Sequence, residues 1–331
     1  MNFKSVAIIG GGSWATAIVK ILSNNVNEIH WWLRNEESVT FVKRYQHNPN
    51  YLSDVSLDLK IVKPSTNLEL IISTSECVVL AIPAAFLKTA LSTLPSTIFQ
   101  NKKIFSAIKG IVPEHNLSVG KYMNSHFNVS FENIGVITGP CHAEEVALEK
   151  LSYLTVASPD LNTATAMASV LNCRYIKTIV SDDIFGTEYA AVLKNVMSIA
   201  SGICNGLGYG DNFQAVLISN GIREIKRFVD AVHPIKRDIN DSAYLGDLLV
   251  TAYSQFSRNR TFGAMIGKGY SVKSAQLEMN MVAEGYYAVA CIHEINGKFK
   301  VEMPICEAVY NILYKNNSPR IEMQLLSDKV N

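Results

Sequence analysis

Val6-Ala-Ile-Ile-Gly-Gly-Gly-Ser-Trp-Ala-Thr-Ala-Ile18 is the stretch on which the reading of this chain turns. Four apolar residues run into Gly10, Gly11 and Gly12, and apolar side chains then recur at helical spacing as Trp14, Ile18, Ile21 and Leu22. The pattern predicts a buried strand, a tight glycine turn and the first turns of a helix. Counted from Gly10 it spells G-x-G-x-x-A, with Ala15 as the third small residue. The first glycine permits the sharp turn, Gly12 lets backbone approach a pyrophosphate, and Ala15 keeps the helix close to its strand. The helix N-terminus adds N–H groups and the positive end of its dipole. A glycine turn without a ligand is the alternative, but its place between strand and helix favours a dinucleotide.

Working outward, Glu28–Leu33 reads as a second strand ending at Arg34. A site for NAD usually carries an acid there for the ribose hydroxyls, whereas an arginine accommodates a 2′-phosphate. Glu36 and Glu37 come slightly late for the first role, and an exposed arginine at a helix start is the alternative for Arg34. Further strands are expected at Lys60–Val62, Cys77–Ile82, Lys103–Ala107, Ile134–Thr138, Leu154–Ala157 and Tyr175–Val180. Helices are expected at Ala84–Leu94, His142–Glu149 and Leu161–Leu171. Such alternation implies a mostly parallel sheet covered by helices on both faces, a Rossmann-like doubly wound α/β domain with ligands at the carboxyl ends of its strands.

The composition narrows the class. A chain of 331 residues with 48% hydrophobic content has ample material for a large core, and its length suggests two domains. Thirty basic against 29 acidic side chains leave a formal charge of +1, which argues against general affinity for nucleic acid or membrane surfaces. The six cysteines form no C-x-x-C pair and no Cys/His cluster, so neither a zinc site nor a disulfide framework is expected. Glycines interrupt the first apolar run too early for a signal peptide. Ile71–Leu91 carries Glu76, Pro83 and Lys88, so it does not read as a membrane span. A cytoplasmic enzyme in a reducing compartment is expected.

Near Asp182 the strand pattern stops and helical periodicity takes over, which places the boundary between a domain of residues 1–183 and an all-α domain of residues 184–331. Ala215, Ile218, Ile222, Ile225 and Val229 mark one apolar face, with Asp211 or Asn212 as the expected cap, and Pro304 opens an expected last long helix. Phe185–Cys204 is apolar on most sides, yet Lys194, Ser198, Ser201 and Asn205 form a narrow polar stripe along it. A lysine there either snorkels to solvent or is held for a purpose. Lys109, in Ala-Ile-Lys-Gly at the end of a strand, is either a surface turn residue or functional. Asp247 is a helix cap or functional. Ser257-Arg-Asn-Arg-Thr-Phe-Gly263 carries two arginines, an amide and hydroxyls suited to an anion, or forms a solvated loop.

Taken together, GGGSWATA, AIKG, GPCHAEE, EYAAVLKN, GLGYGDN, GDLLVT, SRNRTFG and VAEG resemble, in that order, the NAD(P)-dependent glycerol-3-phosphate dehydrogenase family of bacteria. The resemblance runs from about residue 5 to residue 310. It implies a catalytic set of Lys194, Lys109 and Asp247, with Lys194 as the acid/base. It matches Lys109, Gly139, Lys194, Asn195, Asp247, Thr251, Ser257, Arg258 and Asn259 to substrate contacts. It matches Gly10, Gly12, Ser13, Trp14, Arg34, Lys109, Ala143, Arg258, Val282 and Glu284 to contacts with NAD or NADP. The implied substrate pair is dihydroxyacetone phosphate and sn-glycerol 3-phosphate, the latter serving glycerophospholipid synthesis, and a homodimer is left open.

The chain departs from the family at Ala15, where glycine is usual, and at Cys141, where the hydroxyl of a serine is lost. Ser-Ala-Tyr-Leu precedes Gly246-Asp247 in place of a glycine-rich segment, and Asn220 stands where arginine is common. In the implied reaction Lys194 donates a proton to the oxygen of a carbonyl being reduced, and takes it back in reverse. An ordinary lysine titrates near ~10.4. Burial and Lys109 would lower that value, and Asp247 would oppose them. A hydroxyacyl or sugar-acid dehydrogenase of related architecture, and a nucleotide-binding sensor without turnover, are the rivals. The combination of Lys194 with Arg258 argues against the first, and a sensor would need neither the lysine pair nor the phosphate cluster, both of which are present.

Overall fold

The computed structural model describes residues 3–279 and 283–331. The chain divides into two compact units, Met1–Ile108 with Val119–Ile184, and Lys109–Ser118 with Phe185–Asn331.

In the first unit β1 (Ser5–Ile9) passes through the glycine turn into α1 (Ser13–Leu22). Next come β2 (Glu28–Trp32), α2 (Glu36–Tyr45), β3 (Val62–Ser65), α3 (Leu68–Thr74), β4 (Cys77–Leu80), α4 (Ala84–Leu91) and β5 (Lys103–Ser106). A small antiparallel hairpin, β6 (Ile111–Val112) and β7 (Leu117–Ser118), then groups with the second unit. The first unit resumes with α5 (Val119–Phe127), β8 (Ile134–Thr138), α6 (Ala143–Ala147), β9 (Ser152–Ala157), α7 (Leu161–Leu171) and β10 (Ile176–Ser181).

Eight strands form one sheet in the order β10-β9-β8-β5-β4-β1-β2-β3. β1 pairs in parallel with β2, Val6 opposite Ile29, and with β4, Val6 opposite Cys77. The strand order therefore reverses at β1 and β4, the place where doubly wound sheets open a crevice. Every residue of β4 and β8 is buried, as a strand covered on both faces requires. The pairing of β8 with β9 is antiparallel, the exception in a sheet otherwise parallel. Residues 139–151 hold only the short α6, which packs beside α1, so the chain re-enters the sheet at the end where it left.

Several elements differ from the sequence-based expectation. The third strand pairs over Val62–Ser65, not Lys60–Val62, and Pro64 is tolerated because β3 lies at the sheet edge. α4 stops at Leu91 instead of Leu94, and α6 covers Ala143–Ala147 instead of His142–Glu149. α2 buries only Val39 and Val42, too narrow a stripe to read, although Asn35 caps it by accepting the Ser38 N–H. Residues 109–118, counted with the sheet in a domain of residues 1–183, group with the helices, where Ile111 joins the helical core.

The second unit contains α8 (Ile184–Gly206), α9 (Asp211–Val232), a π-turn at Ser242–Gly246, α10 (Asp247–Tyr253), α11 (Arg258–Gly267), α12 (Val272–Glu278), α13 (Glu284–Phe299), α14 (Pro304–Tyr314) and α15 (Pro319–Ser327). The cap of α9 is Gly210, and Asp211 is its first helical residue, not its cap. A further helix, α15, follows the one that Pro304 opens. α8 and α11 meet through two G-x-x-x-G pairs, Gly202 with Gly206 and Gly263 with Gly267. A Cβ at Gly202 would run into the Arg260 carbonyl, and one at Gly263 into that of Ile199. Backbone thus packs on backbone, which fixes where α11 begins.

Candidate active site

In the first unit the glycine turn closes β1 at the strand-order reversal. Gly10 has φ +142°, and a Cβ there would strike the Ala81 carbonyl just after β4, so only glycine fits. At Gly12, the N-cap of α1, a Cβ would meet nothing within 4 Å. That open backbone surface, followed by Ser13 and Trp14 in the first turn of α1, suits the close approach of a pyrophosphate. Arg34 is exposed just beyond β2, the strand beside β1. Gly139, at φ +115°, follows β8, and Ala143 begins α6. α6 lies alongside α1, with Lys20 Nζ donating to Ala147 O at 3.0 Å. Cys141 is buried between Gly139 and Ala143. Val282 lies outside the described residues.

The second unit gathers the remaining candidates around one carboxylate. Asp247 heads α10 directly after the π-turn, and it does not cap the helix. Its side chain, 1% exposed, forms ion pairs with Lys194 through Oδ1 and with Lys109 through Oδ2, the latter at 3.3 Å. Lys194 is itself only 6% exposed and does not snorkel out. Its Nζ also donates to Thr251 Oγ1 at 3.0 Å, and that hydroxyl donates to Asp247 O at 2.7 Å, so Thr251 accepts from one partner and donates to the other. Asn195 Nδ2 donates to Lys109 O at 2.7 Å and holds the hairpin segment in place.

The polar stripe of α8 acts as a row of donors. Ser198 Oγ donates to Thr251 O at 2.9 Å, and Ser201 Oγ to Ala252 O at 2.9 Å. These are carbonyls of the last turn of α10, which lack helical partners of their own. Asn205, the fourth member of the stripe, is exposed and takes no part in this row. Ser198 and Ser257 share a hydroxyl hydrogen bond of 2.7 Å, and Ser257 caps α11 by accepting the Arg260 N–H. Arg258 and Asn259 therefore open a helix, not a solvated loop. Asn259 Oδ1 accepts the Gly285 N–H at 2.9 Å, drawing the start of α13, with Glu284, to the start of α11. A Cβ at Gly285 would crowd Asn195 O at 2.7 Å and Asn259 Oδ1 at 2.9 Å.

Burial sets the electrostatics. Desolvation draws the Lys194 amine down to about 7; the Asp247 carboxylate pulls it back up, and the Lys109 ammonium pushes it down. Burial alone would raise the Asp247 carboxyl, but the two ammonium groups beside it hold it below the ordinary carboxylate value. A buried lysine whose proton is held less tightly than usual is suited to proton transfer, the work an acid/base performs in a carbonyl–alcohol interconversion.

Sequence reasoning overlooked two residues that hold the glycine turn, Trp31 and Asn48. Trp31 lies within the expected strand Glu28–Leu33, and nothing in the sequence separates it from any other strand aromatic. Asn48 sits in His47–Leu57, a segment without periodicity, and its one signal was the Asn-Pro-Asn turn chemistry.

A glycine turn at the reversal point of a doubly wound sheet, with a buried Lys–Asp–Lys cluster in a helical unit, defines the class: a dinucleotide-dependent oxidoreductase. Residues 5–164 match the family model described as NAD-dependent glycerol-3-phosphate dehydrogenase N-terminus, and residues 183–324 the model described as its C-terminus. The chain belongs to the NAD-dependent glycerol-3-phosphate dehydrogenase family. It is 34% identical over 323 residues to glycerol-3-phosphate dehydrogenase [NAD(P)+] of Exiguobacterium sp., covering 97% of this chain and 94% of that protein. It is 32% identical to the enzyme of the same name from Staphylococcus carnosus, with 94% of each covered. The crystal structure of glycerol-3-phosphate dehydrogenase from Coxiella burnetii superposes with a TM-score of 0.89 at 26% identity, covering 98% of both chains.

Proposed function

We propose that this chain catalyses the reversible reduction of dihydroxyacetone phosphate to sn-glycerol 3-phosphate with NADH or NADPH. The observation that carries the reading is the buried Lys194–Asp247–Lys109 cluster, in a chain of this family, with the Lys194 amine drawn down to about 7. Gly10, Gly12, Ser13, Trp14, Arg34 and Ala143 of the first unit would hold the dinucleotide. When bound, its nicotinamide supplies a hydride to C2 of the substrate.

The protein supplies charge, orientation and the proton. Lys194, as ammonium, stabilises the negative charge growing on the C2 oxygen and donates its proton there; in reverse, the neutral amine takes the hydroxyl proton. Asp247 and Thr251 orient the Lys194 amine, and Lys109 keeps its proton labile and adds positive charge. Arg258, Asn259 and the first N–H groups of α11 are suited to the phosphate, because guanidinium and helix N-terminus both favour a dianion. Asn195 completes the substrate contacts of the helical unit. Arg34 supports acceptance of NADPH through the 2′-phosphate. Six free cysteines support a cytoplasmic setting, and among the described residues no helix is long and apolar enough to cross a membrane.

The test is consumption of reduced nicotinamide, followed by absorbance, with dihydroxyacetone phosphate and each cofactor in turn. Turnover is expected with this substrate and not with hydroxyacyl or sugar-acid substrates. The opposite preference would overturn the assignment. Sedimentation velocity on the same sample tests for a homodimer.

A further inference from the structure

Each carbonyl of the glycine turn is gripped by a side chain. Trp31 Nε1, from β2, donates to Gly10 O at 2.6 Å. Asn48 Nδ2 donates to Gly11 O at 3.0 Å. Gly12 O accepts Thr16 Oγ1 at 3.0 Å together with the helical Thr16 N–H. A peptide unit is planar and trans, so a clamped carbonyl sets the direction of the next residue's N–H, which points the opposite way. The N–H groups of Gly11, Gly12 and Ser13 are thus aimed by Trp31, Asn48 and Thr16 in turn. A glycine turn offers groups of this kind to phosphate oxygens.

Asn48 stands apart because it comes from an irregular segment well after β2 and is 1% exposed. Its Nδ2 also donates to Thr16 Oγ1 at 2.7 Å, so one amide joins two of the three clamps. Its Oδ1 accepts Asn50 N at 2.9 Å and Tyr51 N at 3.2 Å, closing the turn that carries it. Both ends of the buried amide are therefore used, and an apolar residue of similar size would leave the Gly11 carbonyl and two loop N–H groups without these bonds.

We propose that Asn48 is a positioning residue for dinucleotide binding, which holds the Gly11 peptide and the Thr16 hydroxyl in the orientation a pyrophosphate needs. This rests on the cofactor reading above and extends it to a residue outside the glycine motif.

The experiment titrates NADH and NADPH into the full-length protein, following fluorescence of the reduced nicotinamide, for wild type, Asn48→Asp, Thr16→Val and Thr16→Ser. Asn48→Asp keeps the acceptor for Asn50 and Tyr51 but has no donor for Gly11. It is expected to raise the dinucleotide Kd about tenfold or more, as loss of a buried donor would. Thr16→Val, which keeps shape but loses the hydroxyl, should weaken binding in the same direction, and Thr16→Ser should restore it. The KM for dihydroxyacetone phosphate should stay near wild type, and the dinucleotide Kd should rise by more than the fall in Tm from the buried groups left unpaired accounts for. Wild-type dinucleotide affinity in Asn48→Asp and Thr16→Val would overturn the role. So would losses that spread equally to the substrate KM and follow the Tm. A wild-type protein that binds neither NADH nor NADPH would overturn the cofactor reading itself, before any variant is compared.

Discussion

Lys194 on α8 and Asp247 at the head of α10 form an ion pair whose side chains are 6% and 1% exposed, with a second ammonium, Lys109, on the other carboxylate oxygen. Two cations share one anion away from water. Removing charges from water costs free energy that a single pairing only partly offsets. The excess falls on the group that loses least by becoming neutral, and the Lys194 amine is drawn down to about 7.

The rate of dihydroxyacetone phosphate reduction should therefore depend on pH with a defined sign. Reduction needs the Lys194 ammonium, so kcat/KM should fall as pH rises through about 7, while the reverse oxidation rises. Lys109→Met removes a like charge and should move the break to higher pH. Asp247→Asn removes the opposing carboxylate and should move it lower. pH profiles of the three proteins check this, and shifts of the opposite sign would count against the cluster as the proton-transfer device.

Lys194→Ala should lower turnover by roughly 10²–10⁴-fold, the range for loss of a positioned acid/base. Dinucleotide affinity should remain, since the glycine turn belongs to the other unit. Steady-state rates beside a fluorescence titration measure both, and equal turnover would remove Lys194 from the mechanism.

Arg258→Ala should raise the KM for dihydroxyacetone phosphate about 10–100-fold, the size of a lost charge-assisted contact. Dihydroxyacetone, which lacks the phosphate, is the control. An equal loss on the control substrate would show that Arg258 does not read the phosphate.

Gly263→Ala tests the packing beneath that arginine. The added methyl would meet Ile199 O, with neighbouring backbone atoms also in the way, so α8 and α11 must separate. A loss of about 1–3 kcal/mol is expected from such overpacking, together with a raised substrate KM, because Ser257 and Arg258 move with α11. Denaturant midpoints and kinetics on one preparation check the pair of effects.

Glu224 gives a stability signal unrelated to catalysis. It lies buried on α9 and accepts the Ile305 and Cys306 N–H groups, each at 2.9 Å, where Pro304 opens α14. Burial pushes its carboxyl up to about 7, against the pull of those two N–H groups. The unfolded value is about 4.3. The folded state therefore holds this proton more tightly, and the stability so gained is present at low pH and lost as pH rises through about 7. Glu224→Gln abolishes the titration and should flatten the decline between about pH 5 and pH 8 by an amount on the order of 1–3 kcal/mol. Urea midpoints at the two pH values measure it, and an unchanged slope would exclude Glu224 as its source.

Much of the sheet could be read from the chain, because β1 beyond Ser5, β4 and β8 are buried on both faces and show as largely apolar runs. α2 and the edge strand β3 were less legible, since each buries little and half its residues answer to solvent. Lys194 stood out because a charge on an otherwise apolar helix needs a reason. Asp247 was ambiguous, as an acid at a helix start is ordinary until its two cationic partners are seen.

Local order along the chain was enough to determine the glycine turn, the alternation of strand and helix and the change to helices near Asp182, since these depend on residues close in sequence. The family resemblance was also legible there, because short motifs keep their order in the chain. Only the tertiary structure decided that Lys109, Lys194 and Asp247 meet, that residues 109–118 group with the helices, and that Asn48 grips the Gly11 carbonyl. Each of these depends on contacts between segments tens of residues apart. Burial, hydrogen-bond pairing and the acidity of an amine are properties of those contacts, and no spacing within a single segment encodes them.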